Sequence, residues 1–156
     1  MAEPARWWLM KTEPAVFGLA DLRRLGVAPW DGVRNYQARN FMRAMRLGDR
    51  VFIYHSNASP SGIAGLATVA RTAYPDHTAW DPSNEHFDAK SAPSAPRWDM
   101  VDLRFDAALP RFLPLALLRE TSDLADLPLF THVRLSVQPV PEPEAAVIRR
   151  LAGLPR

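Results

Sequence analysis

The run Val51-Phe52-Ile53-Tyr54-His55-Ser56 constrains the fold more than any other stretch. Its first four residues are apolar, so both alternating faces of a strand built from it are apolar. A strand without a polar face belongs in the middle of a sheet. Arg6-Trp7-Trp8-Leu9-Met10-Lys11 is similar, short and apolar with polar flanks, and reads as a second buried strand. Such strands need a core, and 156 residues suffice to close one as a single domain over 1–156. The chain has no cysteine, which excludes disulfides, thiolate metal sites and cysteine nucleophiles.

Weaker periodicities surround these strands. Leu19, Leu22 and Leu25 fall three apart, with Gly26 as a stop, so residues 17–25 read as a short helix. Residues 28–35, with Pro29 and Gly32, have no period and read as a loop. Ala38, Phe41, Met42 and Met45 share one helical face, and Asn35 suits the N-cap of that helix. Arg39, Arg43 and Arg46 form a second stripe, read as a solvated face that could also track a nucleic-acid backbone. Residues 62–72 read as a return strand, 98–106 as an alternating strand and 133–138 as a last strand. Short helices are expected over 114–120 and 143–151. Residues 74–97 carry prolines, His77, Trp80, His86 and Phe87 but no period, and such a stretch is either functional or a cover for a sheet edge. Strands that follow one another without βαβ regularity favour an α+β architecture, a curved antiparallel sheet or small barrel with helices at its ends.

Several chemistries are excluded. Ser56 sits in His-Ser-Asn, not in a Gly-x-Ser-x-Gly elbow. His55, His77, His86 and His132 lack metal-ligand spacing, and neither a P-loop nor a dinucleotide fingerprint is present. No catalytic residue, metal site or cofactor is therefore expected. No apolar run approaches the ~20 residues of a membrane span. The N-terminus carries Glu3 and no apolar signal region, so the expected address is cytoplasmic. Net charge is only +2, a weak pointer to nucleic acid, although all but Lys11 and Lys90 of the 19 basic residues are arginine.

Trp30-Asp31-Gly32-Val33-Arg34-Asn35 is better placed for binding. It sets a ring, a flexible glycine, a cation and an amide in six residues that run into a helix N-terminus. Backbone N–H groups there favour an anion, and a ring beside donors and acceptors can hold a base by stacking and edge hydrogen bonds. The same residues also read as a core tryptophan and a surface cation.

The sequence resembles the EVE domain family over residues 6–152. The resemblance rests on Trp8-Leu9-Met10-Lys11-Thr12-Glu13-Pro14, Trp30 through Asn35, Gly48 through Ser56, Asp88-x-Lys90, Arg97-Trp98 and Arg134 through Val140. It implies a PUA-like fold, a bent and mostly antiparallel β-barrel with flanking helices, akin to the YTH and ASCH domains. It also implies a monomeric reader of modified bases in DNA or RNA, 5-substituted cytosine being the leading ligand. Trp30 and Asn35 then match a cage tryptophan and a polar cage residue. Lys11 and Arg34 would take phosphate or an anionic edge, Gly32 and Val33 would offer backbone groups, and His55 and Ser56 would face a polar modification. Trp80 and Phe87 would supply a second wall. The chain departs from the family in Ala145-Ala146, where relatives often carry tryptophan, and in Ala89, where proline is common. The alternatives are an enzyme acting on a modified nucleotide or small metabolite in the same pocket, and a protein-interaction module.

Overall fold

The computed structural model describes residues 4–155. Six strands form one sheet in the order β2-β5-β4-β3-β1-β6. The strands are β1 (Trp7–Thr12), β2 (Val27–Trp30), β3 (Arg50–His55), β4 (Gly62–Pro75), β5 (Asp99–Pro114) and β6 (Val137–Val140). The helices are α1 (Leu19–Leu25), α2 (Tyr36–Ala44), α3 (Leu115–Glu120), α4 (Pro128–Thr131) and α5 (Glu142–Leu151). The fold is thus α+β. The sheet is open, with β2 and β6 as its edges, so the barrel closure expected for this pattern is not seen among the paired strands.

Alternation along the central strands builds two cores. In β1, Trp8 and Met10 face a core shared with Leu22 of α1 and Met42 of α2. Trp7 and Leu9 face a second core with Leu118 of α3 and Ile148 of α5. β3 repeats the division, with Val51 and Ile53 on the first side and Phe52 and Tyr54 on the second. This is why neither strand has a polar face: helices cover both sides of the sheet. Burying a large apolar side chain contributes roughly 1.5–3 kcal/mol. Among the largest fully buried are Phe52, Leu9, Met10 and Ile53, all on these two strands.

β1 and β3 are paired in parallel, from Trp7 opposite Arg50 to Thr12 opposite His55. A parallel pair needs a long crossover, here supplied by α1, β2 and α2. It also brings the C-terminal ends of both strands to one end of the sheet. The other ladders are antiparallel.

Residues 28–35, expected as a loop, begin instead with the end of β2, whose Trp30 lies opposite Val101 of β5. Pro29 is tolerated because β2 is an edge strand. The last strand starts at Val137, later than expected, because the backbone turns between His132 and Leu135.

The aperiodic stretch after β4 is nonetheless ordered. Local side chains accept backbone N–H groups two residues on, as in Asp81 with Ser83, Asn84 with His86 and Asp88 with Lys90. Trp98 Nε1 donates to Asp88 at 2.7 Å and Trp80 Nε1 to Ser91 Oγ at 3.3 Å. Two arginines of the stripe, both on α2, hold the end of this stretch and the start of β5. Arg39 donates to the Arg97 carbonyl at 2.8 Å, and Arg43 pairs with Asp99.

Candidate nucleic-acid cleft

The C-terminal ends of β1 and β3 open into a cleft of about 980 Å³. Lys11, Thr12, Tyr54 and Ser56 come from those ends, and Trp30 through Arg34 form a second side. Asn84, Glu85 and His86 supply a third, and Arg119 of α3 with Arg134 near β6 complete the rim. Of the residues expected at a site, Lys11, Trp30, Gly32, Val33, Arg34 and Ser56 meet here.

Asn35 and His55 do not line the cleft. Asn35 Oδ1 accepts the Ala38 N–H at 2.9 Å, so its amide caps α2. His55 Nε2 accepts the Leu19 N–H at 3.1 Å and holds the start of α1. Burial lowers the His55 pKa, which keeps that nitrogen available as an acceptor.

Trp30 serves the core and the cleft together. It is 7% exposed, packs in the first core and meets Phe17 edge-on at 5.9 Å, so the cleft touches only a margin of the ring. Lys11 donates to the Val133 carbonyl at 2.9 Å and lies 5.8 Å from the Tyr54 ring centre. Burial lowers its pKa. An ammonium has three donors, so one such bond leaves capacity for a ligand.

The loop between β2 and α2 is held by a residue that sequence reading missed. The Asp76 carboxylate is fully buried. It accepts from the Gly32 N–H at 2.8 Å, from Arg34 Nη1 at 2.9 Å and from the N–H and hydroxyl of Thr78. Burial pushes its pKa up, but the bonds from Thr78, Gly32 and Arg34 outweigh burial and the net shift is downward. Gly32 has φ +79°, and a Cβ there would come within 2.6 Å of the His86 ring. Both the left-handed conformation and the close ring demand glycine.

Arg34 is correspondingly occupied. Besides Asp76 it donates to the carbonyls of His86 and Val33, each at 2.9 Å, and to Thr78 Oγ1 at 3.2 Å. Its guanidinium also lies 5.6 Å from the Trp98 ring centre. It ties the aperiodic stretch to the cleft. The open cations are Arg119 and Arg134, which have no carboxylate within ion-pair distance among the described residues. The aperiodic stretch does provide a wall, but through Asn84, Glu85 and His86 and not through Trp80 or Phe87. No group of three or more His, Asp or Glu is arranged to hold a metal ion among the described residues.

Residues 6–151 match the EVE domain. The chain belongs to the EVE domain family. Zebrafish thymocyte nuclear protein 1 is 45% identical over 152 residues, which cover 85% of this chain and 66% of that protein. The chain therefore spans just under two thirds of that relative's length. A Leishmania major protein structure superimposes with TM-score 0.94 at 48% identity, covering 98% of each chain. The human THYN1 protein, solved in complex with DNA containing 5-methylcytosine, superimposes with TM-score 0.92 at 40% identity over 97% of this chain and 100% of that one.

These relatives correct the expected cytoplasmic address. Proteins 43–45% identical to this chain in zebrafish, human and mouse are named as nuclear. The composition and sequence features behind the expected address do not distinguish cytoplasm from nucleus.

Proposed function

We propose that this EVE domain is a monomeric, non-catalytic DNA-binding module that holds one modified base, a 5-substituted cytosine, in the cleft. The observation that carries the reading is the meeting of the Trp30 margin with three cations, Lys11, Arg119 and Arg134, that retain donors for phosphate. The THYN1 complex with methylated DNA, close to this chain in structure, supports the same ligand class. In this reading the base leaves its stack and packs against Trp30, and the three cations take flanking phosphates. Ser56 offers its hydroxyl to the modified edge. The Val33 N–H, which has no acceptor among the described residues, is the backbone donor, because the Gly32 N–H is spent on Asp76. Arg34 and Asn35 act indirectly, by fixing the loop and the start of α2.

The test is an anisotropy titration of matched labelled duplexes, one with a single 5-methylcytosine and one with cytosine, beside an RNA of the same sequence. A methyl in an apolar site contributes about 0.8 kcal/mol, so at least a fourfold preference for the methylated duplex is expected. Equal affinity for the two duplexes refutes modified-base reading, and tighter binding to the RNA refutes DNA as the ligand.

A further inference from the structure

A pocket that sensed only the 5-methyl group would accept thymine as readily as 5-methylcytosine. Both bases carry that methyl, and they differ at position 4, where cytosine presents an amino donor and thymine an oxo acceptor, and at the neighbouring N3. Selection of cytosine therefore needs an acceptor aimed at position 4.

Three carboxylates line the cleft. Glu13 accepts from Asn57 Nδ2 at 2.6 Å, and Glu85 lies 3.5 Å from His86 Nε2. Asp31 differs from both in following Trp30 directly, and among the described residues no other residue donates a hydrogen bond to its carboxylate. Both Trp30 and Asp31 line the cleft. Neighbouring Gly32 is locked to buried Asp76, which fixes the backbone from which the Asp31 side chain projects. The Val33 N–H, the backbone donor of the cleft, suits a ring-nitrogen or carbonyl acceptor of a cytosine.

We propose that Asp31 is the specificity residue of this site, accepting the exocyclic amino group of the held cytosine and thereby rejecting thymine. The inference rests on the base-holding reading above. Carboxylate pairing with a cytosine amino group is an established base contact, and a thymine oxygen in that place would face an acceptor with no proton between them. Partial burial first, and the nearby Asp76 charge second, raise the Asp31 pKa, with His86 and Arg34 offsetting them in part. The ionised carboxylate is the form that rejects thymine, because a protonated carboxyl would donate to the thymine oxygen.

The experiment compares wild type, Asp31→Asn and Asp31→Ala on three duplexes of one sequence, bearing 5-methylcytosine, cytosine or thymine opposite a single guanine. The quantity read is the ratio of thymine to 5-methylcytosine Kd. The differing ease of opening each pair belongs to the DNA and cancels when variant and wild-type ratios are compared. Wild type should favour 5-methylcytosine over thymine by roughly tenfold or more. Asp31→Asn should compress that ratio at least fivefold, because its amide can donate to the thymine oxygen, and Asp31→Ala should compress it too. A ratio unchanged in both variants, with wild type still favouring 5-methylcytosine over cytosine, overturns the role of Asp31 and leaves the base-holding reading intact. A wild type that does not favour 5-methylcytosine over cytosine overturns both. Circular dichroism and thermal melting of each variant establish that the fold is retained.

Discussion

At its C-terminal end β1 leads into the cleft with Trp30, Lys11, Arg119 and Arg134. At its N-terminal end lies a second cleft of about 770 Å³, lined by Trp7, Trp8, Arg6, Arg46, Arg50 and Arg149. By count of tryptophans and arginines the second is the better nucleic-acid site. Its charges, however, are used. Arg50 and Arg149 lie 5.1 and 4.7 Å from the Trp7 ring centre, and that ring stacks on Phe52 at 4.6 Å. Arg149 pairs with Glu142 at 2.7 Å, Arg50 with Asp106 at 3.5 Å and Arg6 with Asp49 at 3.7 Å. In the first cleft Arg119 and Arg134 have no such partner among the described residues, and Lys11 holds a carbonyl and lies over the Tyr54 ring but pairs with no carboxylate among them. The contrast teaches that a cation already paired or stacked has less to offer a phosphate, so unspent donors mark a binding surface better than a count of arginines does.

The strongest way to break the comparison is to remove each tryptophan. Trp7 and Trp30 are 9% and 7% exposed, and each belongs to one of the two cores. Trp7→Ala and Trp30→Ala should each cost about 3–5 kcal/mol in urea unfolding. Only Trp30→Ala should also lose affinity for the methylated duplex, measured at low temperature and corrected for the folded fraction. Equal loss of affinity in both variants would show that the second cleft also meets DNA.

A smaller effect separates the arginines. Three phosphate-facing cations give a log–log salt dependence of affinity with a slope of about −1 to −3. Arg119→Ala and Arg134→Ala should each make it shallower by about one unit. Arg149→Ala should leave it unchanged. The reverse pattern would place the phosphates along the second cleft.

The same contrast explains what could be read before the structure. β1, β3 and the start of α2 announce themselves locally, through runs without a polar face and through an N-capping asparagine. β2 does not, because four residues containing Pro29 become a strand only when β5 lies alongside. The parallel pairing of β1 with β3 is equally non-local. Trp30, Lys11 and Ser56 were legible as cleft residues because they stand in or beside punctuated motifs. Arg34 was read as a ligand-facing cation, but its three distant hydrogen-bond partners were not legible, since Asp76, Thr78 and His86 lie 42–52 residues along the chain in a stretch without period. Asp76 could have been suspected only as an acid just past a strand. Nothing in the sequence sets Arg119 apart from the other arginines.

The smallest expected effect is a gain in stability at Asp31. Burial and the charge of Asp76 raise its carboxyl pKa, with His86 and Arg34 offsetting them in part. A carboxyl with a raised pKa binds its proton more readily in the folded chain than in the unfolded one. The folded state therefore loses relative stability as pH climbs through the folded pKa. Asp31→Asn carries no charge at any pH and escapes that loss. In acid the variant should match wild type, and near neutral pH it should exceed it by less than about 1 kcal/mol, because water screens an exposed side chain. Urea titrations at the two pH values measure the difference. Asp49 is the buried acid beside the second cleft. It accepts from the backbone N–H groups of Arg6 and Arg46 and from Trp8 Nε1, at 3.0–3.1 Å. Asp49→Asn replaces one of its accepting oxygens with a donor and should destabilise at neutral pH. If Asp31→Asn also destabilises there, Asp31 is a structural acid like Asp49, and the division between a satisfied cleft and an unsatisfied one fails at the residue on which base selection rests.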